Sequence, residues 1–392
     1  MEKVVIVAGK RTPFGSFGGS LKEVGATQLG VAASLGTLKS IDFKASEIEH
    51  VIFGNVVQSG SDAAYVPRHI GLHVGVPITA GALGVNRLCG SGFQAIINAA
   101  QMITGGDAKV VLAGGVEQMS QFPYIVRGAR WGIRMGPSEL EDCMTSALTD
   151  AYSKTSMAIT AENLAEKYSI SREACDEHSI RSQTRFQNAL DKKYIADELV
   201  SVKIETKNGP LDFLHDEHPR PGITLEKVRG MKPLFKKNGT VTAATASGIV
   251  DGAAACLMMS ESEAKRRGLK PMSRIVSWAA VGCEPSIMGI GPVMAIKTAL
   301  ARAGLTLKDM DLVEVNEAFS AQYLSVEKEL DLNPEITNVN GGAVAVGHPL
   351  GASGTRIINL LMYELARRKA HYAVGSACIG GGQGIAIIIE RL

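Results

Sequence analysis

Two stretches of this chain read as copies of one another, and that repetition constrains the fold more than any other feature. Val4–Ala8 is an apolar run of strand length, and Arg274-Ile275-Val276 begins another like it. Val51–Asn55 and Leu312–Asn316 are apolar runs that each end on asparagine. A glycine-rich turn at Cys89-Gly90-Ser91-Gly92 opens the proline-free apolar segment Phe93–Ile103, which reads as a buried helix. His348-Pro349-Leu350-Gly351-Ala352-Ser353-Gly354 opens a second helix, running to about Arg368. Val110–Gly115 is matched by Ala373–Cys378, and Gly252–Met258 by the closing run Gly384–Glu390. Strands alternating with helices predict an α/β fold with a largely parallel sheet. The period is too long for a solenoid, so the pattern reads as two similar α/β halves, the alternative being a coincidence of α/β patterning.

The repetition also locates an insertion. Cys378 is followed almost at once by the last strand, whereas a long segment separates Gly115 from Gly252. The predicted division is an N-terminal half of residues 1–118 and 249–271, an inserted lobe of 119–248 and a C-terminal half of 272–392. The lobe is richer in charge and turns. Thr160–Tyr168 and Ser171–Leu190 read as surface helices, with Ser171 and the acids at Glu173 and Asp176 suited to a helix start. Lys203–Lys237 carries eight Lys/Arg against five Asp/Glu, a mild excess that also suits a solvated face.

Composition excludes several function classes. A net charge of +2 gives no electrostatic footprint for nucleic acid. No apolar run reaches the ~20 residues of a membrane span, so no membrane partner is expected. Met1–Val7 enters a strand at once, leaving no room for a signal or transit peptide, and a cytoplasmic location is expected, with the mitochondrial matrix as the alternative. Six scattered cysteines without CxxC pairs argue against a metal site and a disulfide framework, and for a reducing compartment.

The chemistry collects where the halves would meet. Cys89 is expected at a helix N-terminus, where unpaired N–H groups lower a thiol pKa; the other reading is a core cysteine beside a tight turn. Cys89 and His348 take matching places in the two halves and would converge on one pocket. Asn316 and Cys378 end strands, where α/β sites lie. Gly341-Gly342, Gly347 and Gly380-Gly381-Gly382 flank them. Two thiols, an imidazole and an amide fit acyl transfer through a thioester. Cys89 attacks the acyl group and His348 takes its proton. Cys378 moves a proton to or from carbon, the N–H groups of Cys89 and Gly380 hold an oxyanion, and Asn316 positions a water. Cys143, Cys175, Cys256 and Cys283 read as structural. Gly90–Ala95 also matches G-x-G-x-x-A, which would suit a dinucleotide-dependent oxidoreductase. The acid that reading needs ends the next strand, and here Asp107 precedes it.

NRLCGSG at 86–92, VNEAF at 315–319, NGGAVAVGHPLGASG at 340–354 and CIGGGQG at 378–384 resemble the signature blocks of the thiolases. The resemblance spans the whole chain. It implies a five-layered αβαβα core of two halves with an inserted loop domain, and the reaction acyl-CoA + acetyl-CoA ⇌ 3-ketoacyl-CoA + CoA. It implies Cys89 as the acylated nucleophile, His348 as its activator, Cys378 as general acid/base and Asn316 as the holder of a catalytic water. No tightly bound cofactor is implied; coenzyme A is a substrate, contacted by Leu148, Met157, Arg220, Phe235, Ala243 and Ser247 of the loop domain and Met288, Ala318 and Phe319 of the core. A dimer through the core is implied, joined into a homotetramer by Gln121–Pro137, which by composition alone is an arginine-rich surface loop. Acetoacetyl-specific members resemble one another in a His-Met-Gly run where this chain has Ser156-Met157-Ala158, and with Gly282–Gly289 it looks nearer to the mitochondrial-type 3-ketoacyl-CoA branch. A decarboxylating condensing enzyme of related fold is the alternative, but Cys378 in CIGGG departs from that pattern.

Overall fold

The computed structural model describes residues 2–207 and 209–392. Its major elements in chain order are β1 (Val4–Arg11), α1 (Ala26–Lys39), β2 (His50–Gly54), α2 (Val66–Val74), β3 (Gly81–Val85), α3 (Ser91–Gly105) and β4 (Val110–Glu117). Then come α4 (Met157–Tyr168), α5 (Arg172–Asp191), β5 (Val250–Ser260), β6 (Ser273–Gly282) and α6 (Gly291–Ala303). The chain closes with β7 (Leu312–Val315), α7 (Ser320–Leu330), α8 (Ser353–Arg368), β8 (Tyr372–Ile379) and β9 (Gln383–Arg391).

The strands lie in the order β7-β8-β9-β6-β1-β5-β4-β2-β3. Read outward from the middle, β1-β5-β4-β2 and β6-β9-β8-β7 have the same sequence of partners and the same senses: antiparallel, antiparallel, parallel. The two runs touch over only two residue pairs, Val5↔Arg274 and Ile6↔Ser273. The expected largely parallel sheet is therefore not found; antiparallel pairs open each half. Strands buried on both faces read as continuous apolar runs whatever their direction, so the pattern carried no sense. Direction was set instead by the short link at Gly380–Gly382, with Gly381 and Gly382 at φ +78° and +86°, which leaves β8 and β9 only an antiparallel pairing.

Three apolar clusters hold five layers of structure together. One joins α1 and α2 to the first run of strands. A second holds α3 and α8 between the two runs. The third packs α6 and α7 on the outer face of the second run. The middle layer fixes the site, because α3 and α8 start against each other in backbone contact. A Cβ on Gly92 would lie 2.7 Å from Thr355 N, and one on Gly354 2.2 Å from Phe93 N. This reciprocity makes Gly92 and Gly354 counterparts. Cys89 then corresponds to Gly351, and His348 sits three residues further upstream than the expected match. The ladders correct the register in the same way. Glu117 faces Gly252 as Cys378 faces Gly384, so Glu117 and not Gly115 is the counterpart of Cys378.

Between β4 and β5 the chain forms short ladders, α4, α5 and the hairpin Val202–Thr206 with Gly209–Phe213. Ser171 caps α5 through Ala174 N at 3.2 Å. The expectation of a surface helix fails on one face of α5, which buries Asp176, His178, Ser182 and Gln183. These polar side chains are buried because their partners are: Ser182 donates to Glu317 at 2.7 Å.

Candidate active site

The turn before α3 presents Cys89 through a strained backbone. Leu88 takes φ +46°, a conformation that costs a non-glycine residue about 1–3 kcal/mol. Local bonds hold it: Leu88 N–H donates to Asn86 Oδ1 at 3.0 Å, Arg87 N–H to Ser91 Oγ at 2.8 Å, and the Ser91 hydroxyl to Leu88 O at 2.7 Å. Cys89 stands two residues before the first helical residue, in an apolar setting of Met119, Leu350, Val56, Val57 and Met144. Burial there pushes its thiol up to about 11, against the pull of the N–H groups of Gly380 and of Cys89 itself, and Glu117 adds to the rise. The expected low thiol pKa is thus reversed, since desolvation outweighs the amides. The resting group is a thiol.

His348 stands in the turn before α8. Its N–H donates to Gly248 O at 2.9 Å. Its Nδ1 lies 2.5 Å from Ser353 Oγ, which itself reaches Pro349 O at 3.1 Å. With the serine hydroxyl donating to Pro349 O, Nδ1 carries the ring proton and Nε2 a lone pair. Burial, with Arg356 nearby, holds the ring down at about 3, so it is neutral. Asn316 Nδ2 stands 3.4 Å from Nε2, while Asn316 Oδ1 is buried without a partner among the described residues. Asn316 is fixed by its N–H to Ser376 O at 2.9 Å. The neighbouring Glu317 accepts from Ser182, Asn338 and Val344 N. Burial pushes Glu317 up, yet His178 and these bonds bring it down to about 2.

Cys378 is the penultimate residue of β8, fully buried among Met157, Met288 and Ala318 with Leu148 and Phe319 against them. Burial raises its thiol well above the ordinary value, and the neighbouring Cys89 and Cys283 add to this. At Gly380 a Cβ would meet Leu88 Cδ1 and Met157 Sδ, each at 3.2 Å.

A cavity of about 660 Å³ opens over these groups. Cys89 and His348 line it, and so do Leu148, Met157, Arg220, Phe235, Ala243, Ser247, Met288, Ala318 and Phe319. Asn316, Cys378 and Gly380 stand behind that lining, each against a residue that belongs to it. Sequence reasoning missed His218, Met119, Met144 and Leu350 in the same wall. His218 donates from Nδ1 to Ala345 O at 2.8 Å, and its ring covers Gly248, which holds His348. No spacing in the chain points to it. The glycines of the dinucleotide-like fingerprint serve packing: Gly92 faces the backbone of α8, not a pyrophosphate.

Residues 4–262 match the family model for the thiolase N-terminal domain and residues 269–391 that for the thiolase C-terminal domain. Mitochondrial 3-ketoacyl-CoA thiolase of Homo sapiens is 54% identical over 388 residues, 99% of this chain and 98% of that protein. Beta-ketothiolase BktB of Cupriavidus necator is 46% identical over 391 residues, 100% of this chain and 99% of that one. The crystal structure of the human mitochondrial 3-ketoacyl-CoA thiolase in complex with CoA superposes with a TM-score of 0.96 at 53% identity, covering 100% of this chain and 98% of that one.

Proposed function

Since this chain belongs to the thiolase family and is an acyltransferase with coenzyme A as a substrate, we propose that it works through Cys89, His348, Cys378, Asn316 and the N–H of Gly380. In the thiolytic direction Cys89 attacks the 3-keto carbon and its proton passes to His348 Nε2. The C2–C3 bond breaks, its electron pair stays on C2 as an acetyl-CoA enolate, and Cys378 protonates that carbon. Coenzyme A then attacks the acyl-cysteine, its thiol proton restores Cys378, and Cys89 leaves with the proton held on His348. The N–H groups of Cys89 and Gly380 suit the oxyanion of the acyl carbon. The unpartnered Oδ1 of Asn316 suits a water beside the enolate oxygen.

The observation that carries this reading is the neutral imidazole, with Nε2 beside Asn316, in one cavity with a protonated thiol. The test is thiolysis of a 3-ketoacyl-CoA by Cys89→Ser: a folded variant without turnover is expected, and near wild-type turnover would refute it. The nine other predicted residues would hold the coenzyme A arm, with Arg220 nearest to a counter-charge for its phosphates. Rates on 3-ketoacyl-CoA substrates of increasing length test whether Ser156-Met157-Ala158 goes with a broad range.

The halves and the lobe would divide near 118, 249 and 271. Assembly as a dimer of dimers is supported by two surfaces. Edge strand β3 exposes three of its five residues, an edge that proteins usually cover. Tyr124, Trp131 and Met135 are 64%, 85% and 95% exposed on the 121–137 segment, a composition found at interfaces. A monomer by sedimentation at micromolar concentration would sink it. No described helix is long and apolar enough to cross a membrane. Cytoplasm and mitochondrial matrix both suit six free thiols, and the mitochondrial names of the relatives favour the matrix; cell fractionation decides.

A further inference from the structure

We propose that Glu117 is a positioning residue for acyl transfer, the counterpart of Cys378 in the first half, which holds the His348 turn and the apolar wall around Cys89 in a single arrangement. The proposal rests on the reading of Cys89 as acyl acceptor. Glu117 ends β4 and is fully buried. It is not among the residues that line the cavity, and its oxygens are taken up by N–H donors.

Its carboxylate gathers N–H donors from two turns. Oε1 accepts from Asn55 Nδ2 and Val57 N, each at 3.1 Å. Oε2 accepts from Val56 N at 3.1 Å and Gly351 N at 2.8 Å. Asn55, Val56 and Val57 follow β2 in the first half, while Gly351 lies three residues beyond His348 in the second. One side chain therefore ties the two turns together. Val56, Val57 and Leu350, which those turns carry, surround Cys89 with Met119. The junction has no slack: a Cβ on Gly115 would lie 1.9 Å from Gly351 O, and one on Gly351 2.5 Å from Val116 O.

The symmetry of the halves shows what has diverged. Cys378 reaches from the end of β8 toward Cys89, whose counterpart is Gly351. Glu117 reaches from the end of β4 to Gly351 itself. Asn55 is the counterpart of Asn316 and donates to Glu117, as Asn316 faces His348. Each half thus supplies an asparagine, a helix-start turn and a strand-end acid. The asparagine and acid of the second half face the reacting atoms, and those of the first clamp the turn that carries His348. Every group bonded to Glu117 is a donor, so the clamp needs two acceptor oxygens. Burial, with Asp251 nearby, pushes the carboxyl up, while the N–H groups of Val57, Gly351 and Val56 pull it down. A merely space-filling residue has no need to bear that cost.

Glu117→Gln tests this, because an amide has one acceptor oxygen and its NH₂ must face either Gly351 N–H or the Asn55–Val57 donors. Single-turnover acetylation by acetyl-CoA, with steady-state KM and a melting curve, is compared with wild type. We expect a folded variant with KM within twofold and acylation slowed by about 10- to 100-fold, the effect of a sub-ångström misplacement. Glu117→Asp keeps both oxygens at shorter reach and should recover part of the rate. Glu117→Gln that acylates at the wild-type rate overturns the proposal. If Glu117→Gln does not fold, Glu117→Asp decides: slowed acylation at unchanged KM supports the clamp, and a raised KM with unchanged acylation overturns it. Acetyl found on another cysteine of the wild-type protein would instead remove the reading beneath the proposal.

Discussion

Gly92→Ala places a methyl group where α3 and α8 start against each other. The new carbon would sit 2.7 Å from Thr355 N and 2.8 Å from Gly351 O. Carbon reaches comfortable contact at about 3.5 Å, so the two helix starts must part by most of an ångström. The atoms in the way are backbone and cannot swing aside as a side chain would. Overpacking of this kind costs about 1–3 kcal/mol. The larger effect is on geometry, because Cys89 rides on one helix start and His348 on the other. A displacement near 1 Å lowers a positioned reaction by about 10²-fold. The assay is acetylation of Cys89 in a single turnover, with KM and a melting curve on the same sample. A lower melting temperature and a loss of roughly 10²-fold in acylation, with KM little changed, is the expected result. Wild-type acylation in a folded Gly92→Ala protein would show that the contact of the two helix starts does not set the site.

Three further outcomes follow from particular bonds. Ser353→Ala leaves His348 Nδ1–H buried without its 2.5 Å partner, so acylation should slow by at least about tenfold while KM holds; an unchanged rate refutes the tautomer assignment. Glu317 has its folded-state pKa depressed from 4.5 to about 2, so its contribution to stability is present above the unfolded value and is lost as pH falls from about 4.5 toward 2. Melting curves between pH 7 and pH 3 should show wild type losing more stability than Glu317→Gln, and parallel losses would contradict this. His218→Phe removes the donor to Ala345 O and should lower turnover at constant substrate length, with no change if the ring is only a cavity wall.

The alternating runs carried the two α/β halves, because buried strands and helices differ in length and punctuation. The motif glycines marked the turns that bring Cys89, His348 and Cys378 together. Strand direction was illegible, since a doubly buried strand looks the same either way. The match between halves was misread by two or three residues, because backbone contacts such as Gly92 to Thr355 leave no pattern of residue types. The state of the Cys89 thiol was misjudged because the helix start was visible and the crowd of Met119, Leu350 and Val56 around it was not. Glu117 and His218 escaped notice for the same reason: their partners, mostly backbone groups, lie far away in the chain.

The most direct test is where the acetyl group goes and which thiol it needs. Wild type, Cys89→Ser, Cys378→Ser and His348→Ala are mixed with acetyl-CoA, quenched within one turnover and mapped by mass spectrometry, with steady-state thiolysis measured alongside. Acetyl is expected on Cys89 in wild type and on no residue in Cys89→Ser. Acylation should be slowed in His348→Ala. Cys378→Ser should still be acetylated, although more slowly, while its turnover falls by about 10²–10⁴-fold, the usual contribution of a general acid–base group. If Cys378→Ser abolishes acetylation as completely as Cys89→Ser does, the division of labour between the two thiols is wrong.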